Sequence, residues 1–252
     1  MTDKSEDAPQ NKPAGRTGLS FFFLVVLSTI LKSIWNTIKG GKDAQTDRSE
    51  KFWDMVAIDF DRQTKTGDLE QNHIRMVKNT KKYLRESDRV LDFGCATGNV
   101  AFEIVSTVKE VHGIDISAKM IEAARRKAAG QSTGKPDFKQ SSLFDEGLMK
   151  ESYDVILVFN ILHFMEDIPK TMQRIHELLK PGGLFISKTP CMGEEKSVLN
   201  SLLSLVTKTG IIPPMRFFKI AEMEDWVTGG NFQIVETECL TPTEYFIVAK
   251  KG

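Results

Sequence analysis

Residues 88–101 read DRVLDFGCATGNVA. An apolar pair, Val90 and Leu91, meets an acid at Asp92 and is followed by Gly94-Cys-Ala-Thr-Gly98, a turn with very little side chain. Residues 90–93 have the composition of a buried strand, and residues 99–108 place apolar side chains at helical spacing. A strand that ends in small residues and runs directly into a helix brings its backbone close to a ligand. Gly94 permits the turn, the small Ala96 lets the backbone approach, and Gly98 lets the helix pack closely on the strand.

The same alternation continues downstream. Strands are expected at 110–114, 136–140, 154–159 and 184–187. Helices are expected at 117–129 with Ser117 as N-cap, at 168–179 with Pro181-Gly182-Gly183 as the stop, and at 197–207. Strands alternating with helices imply a parallel sheet covered on both faces. The final strands, 233–239 and 245–249, are joined by too few residues for a crossover helix and should pair antiparallel. The expected fold is α/β: a three-layer, doubly wound, mostly parallel seven-stranded sheet with an antiparallel C-terminal pair. Upstream, 47–60 and 69–84 read as two amphipathic helices separated by Thr66-Gly67-Asp68.

The N-terminus is different in kind. Residues 1–18 are polar, with prolines, glycines and mixed charge, and are expected to be a disordered tail. Leu19–Leu31 (LSFFFLVVLSTIL) is uncharged, its FFFLVVL portion is apolar on every side of a helix, and Ile34, Trp35 and Ile38 extend its apolar stripe. Residues 19–42 are therefore read as a hydrophobic helix that associates with a membrane through 19–38, in preference to a buried helix of the globular domain. An uncleaved anchor is preferred to a signal peptide, because no small-residue cleavage site follows. The lysines and arginines after it favour a cytoplasmic catalytic domain over 43–252.

Of 252 residues, 34 are Lys or Arg and 34 are Asp or Glu, so no global field draws the chain to nucleic acid. Cys95, Cys191 and Cys239 lie far apart, which suggests reduced thiols and no zinc cage. His73, His112 and His176 lack ligand spacing, and no metal site is expected.

The glycine turn must be compared with the dinucleotide fingerprint G-x-G-x-x-G/A. Counting from Gly94, its last small position falls on Asn99, and Asp92 would repel a phosphate nearby. An acid at that place suits a cationic ligand. Asp115, twenty-one residues after Gly94 in VHGIDIS, is placed to accept hydrogen bonds from both hydroxyls of a ribose.

With these residues in view, the chain resembles the class I S-adenosylmethionine-dependent methyltransferases. The similarity covers 49–252 and runs through FWDMVAIDFD, VLDFGCATG, GIDIS, FNILHF and LLKPGG. It implies S-adenosyl-L-methionine as cofactor, with Gly94, Ala96 and Gly98 beneath its methionine portion and Asp92 at its amino end. It implies Asp115 on the ribose, Ile116 on the adenine, and Ser142 and Leu143 on the adenine's other contacts. Ser142 stands where the family often has an acid, and Asp145 is the candidate substitute. Asn160 would face the transferred methyl and the methionine backbone.

His163 is the candidate catalytic base, against a capping or packing role in the turn after the fourth strand. Trp53, Phe60 and the IIPPMRFF segment (211–218) would cap the pocket, and their apolar content suggests a small or lipophilic acceptor. Two other functions fit parts of the sequence: a non-catalytic membrane-tethered binding module on the same fold, and a nicotinamide-dependent oxidoreductase. Asn99 and Asp92 disfavour the latter.

Overall fold

The computed structural model describes residues 45–64, 68–132, 134–194, 198–208 and 212–252. The tail expected over 1–18, the hydrophobic helix expected over 19–42, and the residues Thr66, Gly67, Ser197 and Ile211 lie outside them. Among the described residues no helix is long and apolar enough to cross a membrane.

Seven strands form one sheet in the order β3-β2-β1-β4-β5-β7-β6. They are β1 (Arg89–Phe93), β2 (Glu110–Asp115), β3 (Asp137–Gln140), β4 (Tyr153–Phe159), β5 (Leu179–Pro190), β6 (Phe232–Thr241) and β7 (Glu244–Lys251). The first five pair in parallel, while β7 runs antiparallel to both β5 and β6. The strand order therefore reverses between β1 and β4. That is the place where an open parallel sheet leaves a crevice beyond its carboxyl ends.

Two apolar layers sandwich the sheet, and the period of two decides which residue enters which. Leu91, Ile156, Val158, Phe185 and Ile247 pack on one face with Ile168, Met172 and Ile175 of α6 (Ile168–Leu178) and Met223 and Val227 of α8 (Ile220–Gly229). Val90, Val155, Leu157, Ile186 and Val248 pack on the other. There they meet Met76 of α3 (Asp68–Lys81), Ile104 of α4 (Asn99–Ile104) and Ile121 of α5 (Ala118–Ala129). A third cluster lies away from the sheet. It joins Phe52 and Val56 of α1 (Gln45–Val56) to Leu203 of α7 (Val198–Lys208), Ile212 and Met215, with Phe60 of the short α2 (Phe60–Thr64) packed against it.

Several boundaries differ from the sequence reading. The helix expected over 47–60 is two pieces, because the chain bends through Ala57-Ile-Asp59 so that Phe60 can reach the third cluster. The helix expected to reach Val108 tightens into a 3-10 turn at Val105–Thr107, where Thr107 Oγ1 donates to the Ile104 carbonyl (2.7 Å). α6 stops at Leu178, before Pro181-Gly182-Gly183, because Leu179 already pairs with Tyr153 in the sheet. The glycines fill the register shift that follows, where the next pair is Val155 with Leu184. α8 was not foreseen, although Ile220, Met223 and Val227 have helical spacing and two glycines close the segment.

Phe138 of β3 connects the sheet to the glycine turn. A Cβ on Gly98 would lie 2.5 Å from its Cζ, and one on Gly113 would lie 2.6 Å from its Cδ1. Gly98→Ala should destabilise the protein by about 2 to 4 kcal/mol, combining the left-handed backbone with overpacking of a buried ring. Urea denaturation followed by tryptophan fluorescence measures this; an unchanged midpoint would mean that Phe138 swings aside at little cost.

Candidate active site

β1 delivers the turn to the crevice. Gly94, Ala96 and Gly98 all have positive φ, at 74°, 48° and 81°. The turn is tied to the end of β2: the amides of Gly94 and Cys95 donate to the Ile114 carbonyl at 2.9 and 3.0 Å. The Ala96 amide donates to Oδ2 of Asp115 at 3.0 Å. An alanine in the left-handed region costs about 1 to 2 kcal/mol, and these bonds hold it there.

Two acids meet at this turn. Asp92 is 3% exposed, and its Oδ2 has no hydrogen-bond partner among the described residues. Burial, with the Asp115 charge adding to it, pushes its pKa up to about 7. Asp115 keeps more solvent contact, and burial raises it to about 6, opposed by amide bonds from Ser117 and Ala96. Each Asp115 oxygen accepts one of those amides, from Ser117 at 2.9 Å and Ala96 at 3.0 Å, which leaves lone pairs on both.

The N-terminal helices close over the turn through carboxylates. Asp54 of α1 accepts from Ser117 Oγ (2.5 Å) and the Lys119 amide (3.1 Å), both at the start of α5. Asp61 of α2 accepts from Thr97 Oγ1 (2.5 Å), Asn99 Nδ2 (3.1 Å) and Lys127 Nζ (3.0 Å). Burial pushes the Asp61 carboxyl up, but the bonds from Thr97 and Lys127 outweigh it and hold the pKa below its ordinary value. Glu50 of α1 accepts from Gln140 Nε2 at 3.0 Å. None of these three acids was foreseen, because their partners lie 36 to 90 positions away in sequence.

Beneath this cover lies a cavity of about 530 Å³. Asp92, Gly94, Ala96, Asp115 and Ile116 line it, as do Ser142, Leu143, Asn160 and His163. Gly98 lies beneath, against Phe138. Trp53, Phe60, Pro213 and Pro214 form part of the wall. Asp145 is a correction: it is bonded to Lys139 (2.9 Å), Ser141 Oγ (2.5 Å) and the Gly147 amide (2.8 Å) and is not among the lining residues. Cys95 is buried, and burial pushes its thiol well above the ordinary range, as suits a packing residue.

His163 lies in the 3-10 turn Leu162–Phe164, 0% exposed, with its ring centroid 4.0 Å from that of Phe164. Burial, then the charge of Lys188, pushes its pKa down to about 3. A second polar group in the wall went unforeseen: Lys188 and Glu244, both buried, with Nζ 2.6 Å from Oε1. A lysine inside the apolar strand LFISKTP was the available signal.

The chain is similar to known proteins in sequence and in fold. The family model described as a methyltransferase domain matches residues 84–228, more than half of the 252-residue chain. The chain belongs to the class I S-adenosylmethionine-dependent methyltransferases, whose cofactor is S-adenosyl-L-methionine. A methyltransferase of Geobacillus sp. (strain WCH70) is 34% identical over 114 residues, covering 43% of this chain and 45% of that protein. Demethylmenaquinone methyltransferase of Symbiobacterium thermophilum is 28% identical over 143 residues, 54% of this chain and 56% of the relative. The chain thus spans about half the length of these curated relatives. Among solved structures, Haemonchus contortus phosphoethanolamine N-methyltransferase 2, with phosphomonomethylethanolamine and S-adenosylhomocysteine, shares the fold. Its TM-score is 0.69 at 16% identity, over 83% of this chain and 60% of that one.

A carboxyl whose folded pKa is raised keeps a proton that the unfolded chain releases. Its contribution is present below the unfolded value and is lost as pH rises through about 7. Thermal melts of the ligand-free protein should find Asp92→Asn more stable than wild type by a few kcal/mol near pH 8, with the difference fading toward about pH 4. A pH-independent difference would mean that Asp92 is not held protonated by burial.

Proposed function

We propose that this protein transfers the methyl group of S-adenosylmethionine, by direct in-line attack, to a small lipophilic acceptor held in the cavity. The observation that carries the reading is Asp92, a buried carboxylate with an unpartnered oxygen at the carboxyl end of β1. Such a group is costly until a cation meets it, and the amino end of the cofactor is one. The lone pairs left on Asp115 accept the ribose hydroxyls, and Ile116 packs on the adenine, with Ser142 and Leu143 contributing the remaining adenine contacts. Gly94 and Ala96 run beneath the methionine portion, and Gly98 acts at one remove by letting α4 close on Phe138. Asn160 faces the methyl.

When bound, the cofactor supplies a methyl on a sulfonium that needs no activation. The chain's own contribution is position and the exclusion of water, which in favourable cases is worth about 7 to 11 kcal/mol. A neutral imidazole with a pKa near 3 is a feeble base, so we assign His163 to shaping the wall. Phe52, Trp53, Phe60 and Pro213 give the cavity an apolar surface suited to a lipophilic body. The relative named for demethylmenaquinone points the same way. Membership of the methyltransferase family sets aside the nicotinamide reading. The chain divides, in this proposal, into a tail (1–18), a hydrophobic helix that associates with a membrane through 19–38 (within 19–42), and the catalytic domain (43–252). The domain lies on the cytoplasmic side.

Isothermal titration with S-adenosylmethionine tests the site. Asp115→Ala should weaken binding by about 10- to 100-fold, the loss of charge-assisted bonds to two hydroxyls. Unchanged affinity would remove Asp115 from the ribose. Because Asp92 must be ionised to meet a cation, wild-type affinity should rise between about pH 5.5 and 7.5, and Asp92→Asn should lose that slope. Vesicle flotation tests the anchor: the full chain should float, and protein lacking residues 1–42 should not. Equal flotation of both would rule the anchor out. Cofactor binding without methyl transfer to any lipophilic acceptor would favour the binding module.

A further inference from the structure

Along β5 the chain places a lysine in buried surroundings. Lys188 is 7% exposed, pairs with Phe159 of β4 on one side and Phe246 of β7 on the other, and lies one pleat from Pro190, the partner of Glu244. Its Nζ donates to Oε1 of Glu244 (2.6 Å) and to Oδ1 of Asn160 (3.1 Å). Glu244 is 8% exposed, and among the described residues its other oxygen receives only a long contact, 3.5 Å, from Asn72 Nδ2 of α3. Lys188, Glu244, Asn160 and Asn72 all line the cavity. By strand order Asn160, Lys188 and Glu244 belong to the β4-β5-β7 side, across β1 from Asp115 on β2.

An ion pair taken out of water gains little for stability, and apolar replacements of the same volume are often neutral or better. In the wall of a ligand cavity the pair has a chemical use. An ammonium has three protons, and the described residues accept two of those on Lys188. A carboxylate has about four acceptor sites, and Glu244 uses one at short range. The wall therefore offers one ammonium proton and one carboxylate oxygen side by side, next to the Asn160 end of β4. An oxygen that gains negative charge would be held by Lys188, and a proton it gives up can go to the open oxygen of Glu244.

We propose that Lys188 and Glu244 are the acceptor-binding and proton-accepting pair of the transferase, and that the acceptor carries an acidic hydroxyl, a phenol or an enol, on an apolar body. This rests on the methyltransferase reading above. The hydroxyl proton passes to Oε2 of Glu244, and the oxygen, held by Lys188, forms a bond to the methyl carbon. The carbon–sulfur bond breaks with its electron pair staying on sulfur, giving a neutral thioether, and Glu244 then releases the proton to water. An ordinary alcohol is too weak an acid for a carboxylate base, which restricts the acceptor to the acidic class. Trp53, Phe60 and Pro213 take the apolar body.

Isothermal titration of the full chain saturated with S-adenosylhomocysteine tests this, using short-chain para-alkylphenols against alkylbenzenes of the same chain length. Wild type should bind the phenols at least about tenfold more tightly, the worth of one charge-assisted hydrogen bond. It should also transfer labelled methyl from S-adenosylmethionine to the phenol oxygen. Lys188→Met and Glu244→Gln should each erase the preference and the transfer while keeping S-adenosylhomocysteine affinity. The double variant Lys188→Met/Glu244→Met leaves no lone buried charge, and it should fold and bind phenol and hydrocarbon alike. Equal binding of phenol and hydrocarbon by wild type, or no phenol binding, would overturn the proposal. Failure of S-adenosylhomocysteine to bind wild type would overturn the cofactor reading instead, and the phenol preference, measured without it, would still decide this one.

Discussion

The bond from the Ala96 amide to Asp115 joins the two strands on which the site is built. The turn after β1 makes three left-handed steps in five residues, one of them at an alanine, a conformation the chain does not hold without help. Help comes from β2: the Ile114 carbonyl takes two amides of the turn, and the Asp115 carboxylate takes a third. Phe138 closes the arrangement from β3, because its ring occupies the space that a Cβ on Gly98 or Gly113 would need. Three adjacent strands thus fix one short loop, and the loop in turn sets where α4 begins.

The cover over the crevice follows from the same loop. Asp61 reaches Thr97 and Asn99 at the turn, and Asp54 reaches Ser117 at the start of the next helix. The acids that hold α1 and α2 down therefore bond to the segments that frame the crevice. Apolar packing supplies the rest, with Phe52 and Val56 joining Leu203 and Met215 in a cluster separate from the two that sandwich the sheet. That cluster also takes in Met120 of α5 and Met192 just after β5, so apolar packing as well as the acids seats the cover on the rest of the fold.

Charge is distributed unevenly across the crevice. On the β1-β2 side two carboxyls share a buried space, and both are pushed upward. On the β4-β5-β7 side a lysine and a glutamate compensate one another. The first arrangement calls for a cation from outside, whereas the second is neutral as a pair and offers a donor and an acceptor together.

Much of this could be read in the chain alone. The alternation of short apolar runs with helical spacing was enough for the strand count and the layer order, and the short link before Glu244 was enough for the antiparallel pair. The glycine turn and Asp115 were legible because the backbone constraint and the acid recur at a fixed spacing along one βαβ unit. Helix ends were less legible. Leu179 leaves its helix to pair with Tyr153, and the bend at Ala57-Ile-Asp59 serves a cluster assembled from α1, α7 and residues 212–215. What the sequence by itself determined is what local periodicity and φ preferences encode: the elements, their order, and the glycine loop at the crevice. Only the tertiary structure decided that Asp54 and Asp61 latch the cover, that Asp145 is engaged elsewhere, and that Lys188 meets Glu244. Each of these depends on a partner brought near by sheet order, and no local pattern carries that information.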